Sequence, residues 1–336
     1  IVNSQSPTHN LQPRTNYYIW PESQIANMRT IKDYLLIGLK GIGMGAADVV
    51  PGVSGGTIAF IAGIYEELID TINQVNLKAL KILFKEGIGA FWKHINGWFL
   101  LSLLSGIAIS ILSLARLITY LLEHEPVAIW SFFFGLVLAS IPFVGRKVRH
   151  WTTGPILGFF AGAILAYWIT VLPMSTGDHG MGFIFLSGMI AICAMILPGI
   201  SGSFILLLLG AYTTVLTAIK DLDVAIIAIF ALGAVIGLLS FARVLKWMFG
   251  HYHDLTVAIL SGFLLGSLNK IWPWKRTVEE VTKPSGEVVP VLQDSVLPST
   301  YENMGFEADF MLAVGLFFVG ILTIVVLEKV GQKRAS

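Results

Sequence analysis

The chain has 336 residues, of which 55% are hydrophobic and only 13% are charged, and its formal net charge is +1. Soluble domains carry about 25% charged residues, so this composition excludes an ordinary soluble enzyme, and nothing in it indicates a nucleic-acid-binding domain. Several apolar runs approach or exceed ~20 residues, which is enough to cross a bilayer as a helix. The sequence therefore predicts an all-α polytopic membrane protein.

The start of the chain differs in composition from the rest. Residues 1–27 are polar and rich in Pro, Asn, Gln and Ser. We expect them to be a polar tail, native or appended, and we expect the membrane domain to begin near Met28.

A short polar motif occurs twice in the apolar part of the chain. Residues 51–56 read Pro-Gly-Val-Ser-Gly-Gly, and residues 198–203, which lie 147 positions later (198 minus 51), read Pro-Gly-Ile-Ser-Gly-Ser. Such residues break helices, and irregular backbone is tolerated at membrane depth where it is buried in protein or lines a polar cavity. Paired breaks in corresponding places of two halves are the best sequence indication of a transporter's binding site.

Each motif separates two short helical arms. A 16-residue arm rises only ~24 Å, whereas the hydrocarbon core is ~30 Å thick. We therefore predict two re-entrant hairpins with their tips at 51–56 and 198–203. Their arms are predicted at 31–50 and 57–72 in the first half, and at 182–197 and 204–219 in the second half.

Three apolar spans follow each hairpin. In the first half an amphipathic surface segment is predicted at 78–97, where Lys residues are spaced among Leu, Ile, Phe and Trp. Later matches such as Gly106 with Gly233 use an offset of 127 (233 minus 106), so the first half carries 20 extra residues before its spans. The six spans are predicted at 98–122, 127–145, 155–173, 224–249, 254–271 and 308–328.

Three crossings after each hairpin leave the second half upside down relative to the first. The sequence therefore predicts two inverted-topology repeats, residues 28–173 and 182–328, each a re-entrant hairpin plus three transmembrane helices. Loops rich in Lys and Arg fall on one side under this count, and the positive-inside rule makes that side cytoplasmic. Both termini, including a tail at 329–336, are then cytoplasmic, and the loop at 272–307 is extracytoplasmic.

The two tips place small polar residues at the start of an outgoing helix, where the helix dipole is positive. Backbone N–H groups and hydroxyls in such a place suit an oxygen-rich anion. The same loops would also suit a cation held by carbonyl oxygens, or they could serve only close helix packing. The predicted phosphate-binding residues are Ser54, Gly55, Gly56 and Thr57 at the first tip and Ser201, Gly202 and Ser203 at the second.

Two arginines lie inside spans at repeat-equivalent positions, Arg116 and Arg243. An ionisable residue inside a span is costly and indicates a function, and a guanidinium group matches phosphate oxygens well. We predict that both arginines neutralise the anion bound between the tips. The alternative is that their side chains reach back to the lipid headgroups.

Asp48 lies three residues before the first break, and its repeat equivalent is Met195. A carboxyl group near the tip could accept a coupling proton or bind Na⁺, or it could only hydrogen-bond the broken backbone. Glu66 and Glu67 lie ten or more residues beyond the tip. They are a second candidate proton site, with a solvated helix end as the plainer interpretation.

The other reactive side chains form no catalytic pattern. The seven His residues lack zinc-ligand spacing, no phosphate-binding P-loop occurs, and no nucleophile is paired with a base. We therefore predict that the protein is not an enzyme and needs no metal and no cofactor, apart from a coupling proton or Na⁺.

The segment 45–57, Gly-Ala-Ala-Asp-Val-Val-Pro-Gly-Val-Ser-Gly-Gly-Thr, together with Leu-Pro-Gly-Ile-Ser-Gly-Ser-Phe at 197–204 and Gly-Ala-Tyr at 210–212, resembles the bacterial polyprenyl-phosphate transporter family, long known as a domain of unknown function. The resemblance covers roughly residues 30–330. It implies a flippase that returns undecaprenyl phosphate from the outer to the inner leaflet of the cytoplasmic membrane for cell-envelope glycopolymer synthesis.

The resemblance implies a polyprenyl phosphate and membrane lipid as partners, and we further expect transport to be coupled to an ion. Two other functions stay open at this point: a secondary symporter of a small soluble anion, and a lipid phosphatase. The oligomeric state also stays open, with a homodimer among the alternatives.

Overall fold

The computed structural model describes residues 29–50, 53–175, 180–282 and 288–332. The predicted tail at 1–27, residues Pro51 and Gly52 of the first tip, and the last four residues of the predicted cytoplasmic tail lie outside the described residues.

The described part of the chain is mainly helical. The helices agree with the predicted spans to within a few residues, because long apolar runs can satisfy their backbone groups in a membrane only as helices. In chain order they are α1 Ile31–Val49, α2 Gly55–Ile61, α3 Tyr65–Gln74, α4 Leu77–Glu86, α5 Ile88–His94, α6 Gly97–His124, α7 Pro126–Gly145, α8 Thr153–Thr170, α9 Met181–Ile196, α10 Gly202–Leu208, α11 Tyr212–Asp221, α12 Val224–His251, α13 His253–Ser267 (continued by a 3-10 turn, Leu268–Ile271), α14 Pro298–Asn303 and α15 Phe310–Gln332.

Within the described ranges, five helices are long and apolar enough to cross a membrane. They are α6, α7, α8, α12 and α13 with its 3-10 turn, and the bent pair of α10 and α11 raises the number to six if it counts as one span. The protein is therefore a multi-pass helical membrane protein, as predicted.

The outgoing arm of each hairpin is broken, which the sequence analysis did not predict. The expected arm at 57–72 is split between α2 and α3, and the arm at 204–219 is split between α10 and α11 at an angle of 108°. Gly63 and Gly210 lie at these breaks, and both have a φ of +71°, a conformation that glycine adopts without a steric penalty. The apolar pattern hid the breaks because it continues across each glycine.

The loop at 272–307 contains a small sheet, so the all-α prediction needs a local correction. Strands β1 (Lys275–Thr282) and β2 (Val288–Ser295) pair antiparallel, with Lys275 opposite Ser295. Across the strands Arg276 donates to Asp294 at 2.7 Å. Thr and Val favour extended backbone, but the segment is too polar to stand out beside the membrane spans.

The two halves share their element boundaries. Helices α2 and α3 match α10 and α11 at an offset of 147, and α6 matches α12 at an offset of 127, both being 28 residues long. In the first half α1 packs on α6, and in the second half α9 packs on α12. Gly106 and Gly233 make these approaches close, since a Cβ on either would overlap a carbonyl oxygen of the partner helix.

The third spans exchange partners between the halves. Helix α7 of the first half packs on α15 of the second half, and α13 of the second half packs on α8 of the first. The contacts repeat in register: Gly135 faces Phe317 of α15, and Gly262 faces Phe159 of α8. The third spans therefore correspond at an offset of 158 (317 minus 159). The two halves interlock, and neither completes its own packing.

The largest buried cluster lies around the helix breaks. It joins Val50 and Val53 beside the first tip to Phe60 and Tyr65 of the outgoing arm, and it reaches α13 at Leu260. The polar tips are therefore enclosed by the centre of the protein, as irregular backbone at membrane depth requires.

Candidate functional site

The two helix breaks contact each other directly. Ser54 donates from its hydroxyl to the carbonyl oxygen of Met195 at 2.8 Å, and the backbone N–H of Gly199 donates to the hydroxyl of Thr57 at 2.8 Å. Ser54 and Thr57 are completely buried. The structure thus brings together the two tips, which lie far apart in the sequence.

The donors of the first tip are already occupied by the chain itself. Asp48 accepts from the N–H of Gly55 at 2.7 Å, and Ser54 accepts from the N–H of Gly56 at 3.0 Å. A Cβ on Gly55 would lie 2.5 Å from a carboxylate oxygen of Asp48, so glycine is needed for this approach. The Asp48 carboxylate therefore occupies the start of α2, where the sequence analysis expected the phosphate.

The second tip has no such internal anion. Met195 stands where the first half has Asp48, and no side chain among the described residues caps α10. Ser201 and Ser203 instead share a hydrogen bond of 2.8 Å between their hydroxyls. Gly199 has a φ of +90° and packs against Ser267 of α13. The two tips are alike in sequence, but the second alone leaves its helix start without an acidic side chain.

The structure does not bring Arg116 and Arg243 to the tips. Both side chains are exposed, on α6 and α12. The buried stripe of α6 runs through Phe99, Leu103 and Gly106 towards α1, and Arg116 lies about 100° around the helix from that stripe. The prediction that both arginines neutralise an anion between the tips is therefore corrected. Repeat equivalence showed that the two positions correspond, but not which way the side chains face.

Glu66 and Glu67 take part in ion pairs in the first turn of α3. Glu67 accepts from both terminal nitrogens of Arg29, at 2.6 and 2.7 Å, and from the side chain of Asn96 at 2.9 Å. Glu66 lies 3.7 Å from His253, which is a longer contact. Asp70, on the same helix, pairs with Lys246 at 2.9 Å. These contacts tie α3 to the helices around it, and the sequence analysis did not foresee them.

The matching region of the second half is open. The counterparts of Glu66, Glu67 and Asp70 are Thr213, Thr214 and Thr217, and these threonines line a cleft of about 370 Å³ beside Asp221 and Asp223. Among the described residues, no group of three or more His, Cys, Asp or Glu side chains is arranged to hold a metal ion.

Two lysines that follow α13 were missed by the sequence analysis. The ammonium nitrogen of Lys270 lies 4.2 Å from the centre of the Phe204 ring, and that of Lys275 lies 3.5 Å from the centre of the Trp130 ring. Lys275 also donates to the carbonyl oxygen of Lys270 at 2.5 Å. Lys270 lies one residue before the predicted end of the span at 254–271, and Lys275 lies four residues after it. A lysine at a span end usually reaches for water, so only the tertiary structure places Lys270 over the Phe204 ring of α10 and Lys275 over the Trp130 ring of α7.

The fold and the meeting tips define a multi-pass helical membrane protein of the transporter class, with two interrupted helices opposed at its centre. A family model described as VCA0040-like, undecaprenyl phosphate translocase-like, matches residues 44–289. The chain belongs to this family, as the resemblance of the two tip motifs indicated.

Two curated relatives are both named polyprenyl-phosphate transporter. The chain is 47% identical over 302 residues to the polyprenyl-phosphate transporter of Vibrio cholerae serotype O1, covering 90% of this chain and 98% of the relative. It is 32% identical over 255 residues to the polyprenyl-phosphate transporter of Staphylococcus aureus, covering 70% of this chain and 85% of the relative. The comparison with solved structures gave no match.

Proposed function

We propose that this protein carries undecaprenyl phosphate from the outer to the inner leaflet of the bacterial cytoplasmic membrane, for reuse in cell-envelope glycopolymer synthesis. The observation that carries the proposal is the direct contact between two buried, polar helix breaks in a chain of the translocase-like family. Such breaks at the centre of a membrane protein are where transporters bind charged groups.

In this proposal the halves have opposite orientations. Equal element boundaries and the exchanged third spans support a duplication, and the Lys- and Arg-rich loops support cytoplasmic termini. The first hairpin then enters from the cytoplasm and the second from outside. The β1–β2 sheet lies on the extracytoplasmic side.

The headgroup is a phosphate monoester, which carries about −1.5 to −2 charges near pH 7. It binds first at the second tip, where Ser201 and Ser203 offer hydroxyls and Gly202 offers a backbone donor close to the uncapped start of α10. The polyprenyl tail stays in the lipid while the headgroup crosses. The first tip, with Ser54, Gly55, Gly56 and Thr57, becomes available only when Asp48 releases the Gly55 N–H.

This competition suggests how transport is coupled to an ion gradient. A proton on Asp48 removes the negative charge that holds the start of α2, so the substrate phosphate replaces it there. Inward movement of an anion is opposed by an inside-negative potential at about 2.3 kcal/mol per charge per 100 mV, and a cotransported proton or Na⁺ offsets that cost. Glu66 and Glu67 suit this role less well because they are already held in ion pairs.

The test is flipping of fluorescent polyprenyl phosphate in proteoliposomes, followed by quenching from the outside. We expect the protein to change the fraction of labelled lipid that an external quencher can reach, and we expect unlabelled undecaprenyl phosphate to suppress this change. Competition by soluble phosphate or carboxylates, but not by the lipid, would instead identify a symporter of small anions. Release of inorganic phosphate from the lipid would identify an enzyme, and either result overturns the proposal.

A further inference from the structure

Helices α4 and α5 connect the outgoing arm of the first hairpin to the span α6, and the second half has no counterpart of them. There α11 ends at Asp221 and α12 begins at Val224, so the connection is direct. The second half forms its hairpin and its spans without such a pair. Helices α4 and α5 therefore serve a purpose that belongs to the first half alone.

Helix α5 fixes the depth of this pair at the start of a membrane span. Helix α6 begins at Gly97, and a Cβ on that glycine would overlap the ring of Trp92 on α5. Trp92 and the exposed Trp98 of α6 pack edge to face, with ring centroids 5.8 Å apart. Because Trp side chains collect at the headgroup level of a bilayer, we place α4 and α5 at the membrane–water interface.

Helix α4 exposes a stripe of large apolar side chains. Leu77, Leu80 and Phe84 are 77%, 48% and 84% exposed, and their three- and four-residue spacing puts them on one face of the helix. Ala79 is the buried residue of α4, and it lies roughly 130° around the helix from this apolar stripe. Helix α4 thus packs on the protein with one face and turns a different, apolar face outward, where acyl chains can cover it.

Three lysines form a third face of α4. Lys78, Lys81 and Lys85 are exposed and have the same three- and four-residue spacing. This lysine face lies roughly 100° around the helix from the apolar stripe and roughly 130° from Ala79. Within the described ranges none of the three lysines forms an ion pair, and the one acid of α4 is its last residue, Glu86. The lysine face therefore carries an unbalanced positive charge beside the apolar stripe.

We propose that α4 is a docking surface for anionic glycerophospholipids. With the apolar stripe among the acyl chains, the lysine face lies at the level of the lipid phosphate groups, and its charge complements theirs. This docking requires only the position of α4 at the membrane, whichever lipid the protein transports. In the orientation proposed above, the leaflet concerned is the cytoplasmic one.

Both ends of the docking pair are tied to α3. Asn76, at the start of α4, donates to the carbonyl oxygen of Asn73 in the last turn of α3 at 2.8 Å. Asn96, after α5, donates to the carboxylate of Glu67 at 2.9 Å. Asn73 also donates to the carbonyl oxygen of Ala242 on α12 at 2.8 Å. A lipid bound at α4 therefore steadies the outgoing arm against the second half, and we expect it to stabilise the whole protein.

The experiment titrates the purified full-length chain, stripped of lipid in detergent, with phosphatidylglycerol or with phosphatidylcholine of the same acyl chains. Native mass spectrometry counts the bound lipids. We expect the wild-type chain to prefer phosphatidylglycerol, and we expect the combined substitutions Lys78→Gln, Lys81→Gln and Lys85→Gln to lower this preference about tenfold. The combined substitutions Lys78→Arg, Lys81→Arg and Lys85→Arg should keep it, because they keep the charge.

The matched control loses the same charge elsewhere on the surface. It combines Lys32→Gln, Arg276→Gln and Lys329→Gln, at exposed positions on α1, β1 and α15. We expect it to keep the wild-type preference. Thermal unfolding is the second measurement: phosphatidylglycerol should raise the unfolding temperature of the wild-type chain and of the control more than that of the Gln variant of the lysine face.

Three results would overturn the proposal. In the first, the wild-type chain binds the two glycerophospholipids equally. In the second, the Gln variant of the lysine face and the control bind phosphatidylglycerol with the same preference. In the third, the lysine face retains polyprenyl phosphate and does not retain phosphatidylglycerol, which would assign it to the transported lipid.

Discussion

At the scale of single residues, Asp48 distinguishes the two tips. Its carboxylate accepts from the Gly55 N–H at the start of α2, whereas the second half has Met195 at the same position. A helix start favours negative charge, so an internal carboxylate competes with any anionic ligand for the first tip. One acidic residue thus distinguishes a helix start that has an acidic side chain bound to it from one that has none among the described residues.

We predict that Asp48→Asn leaves the fold intact and removes the effect of a pH gradient on transport. The amide oxygen of Asn can still accept from Gly55, but it cannot carry a proton. The measurement is lipid flipping in proteoliposomes with and without an imposed pH gradient. The control is Asp223→Asn, which alters a capping aspartate at the exposed start of α12 that accepts from Ala225 and Ile226. A variant at position 48 that still responds to the gradient like the wild-type chain would show that Asp48 is not the proton carrier.

At the scale of elements, the broken arms and their cross-contacts form the site. Helix α2 is only seven residues long and depends on the second hairpin for its position, through the bonds of Ser54 and Thr57. Short helices are not stable on their own, so these contacts also hold the element in place. The glycine breaks at Gly63 and Gly210 let each arm turn back without a strained residue.

We expect Thr57→Val to destabilise the protein by about 1–3 kcal/mol. Valine has nearly the same shape but leaves the buried N–H of Gly199 without its acceptor. Thermal unfolding in detergent is the measurement. Thr323→Val is the control, since that hydroxyl is exposed and bonds within its own helix, α15. Equal unfolding temperatures for the two variants would mean that the bond between the tips contributes little.

At the scale of the whole molecule, the exchange of third spans makes the two halves one unit. Helix α8 completes the packing of α13, and α15 completes that of α7. The close approaches at Gly135 and Gly262 are backbone contacts between halves, which side chains cannot replace. Any movement of one half relative to the other would therefore have to carry these paired helices together.

We predict that residues 1–175, expressed alone, are degraded, and that co-expression with residues 176–336 restores a stable complex. The first half alone would expose the faces of α7 and α8 that bury α15 and α13. Detergent-solubilised yield and gel filtration provide the measurement. If residues 1–175 accumulate as a monodisperse species without the second half, the contacts between the halves are not required for stability.

Local sequence determined much of this architecture. The apolar runs specified the spans because backbone at membrane depth must form helices, and the duplicated motif at 51–56 and 198–203 specified where two helices break. The family resemblance was also carried by those motifs, and the family match at residues 44–289 confirmed it. The extra breaks at Gly63 and Gly210 could have been suspected from the glycines, but their apolar neighbours masked them.

Only the tertiary structure decided which way the charged side chains face and which groups they contact. The sequence showed that Arg116 and Arg243 are equivalent, but helix packing turned them outward, and it paired Glu67 with Arg29 over a separation of 38 residues. It also brought Lys270 to the Phe204 ring of α10 and Lys275 to the Trp130 ring of α7, and it placed the Asp48 carboxylate at the start of α2. A sequence pattern fixes which faces of a helix are apolar, whereas which charged groups meet depends on the packing of segments that are distant along the chain.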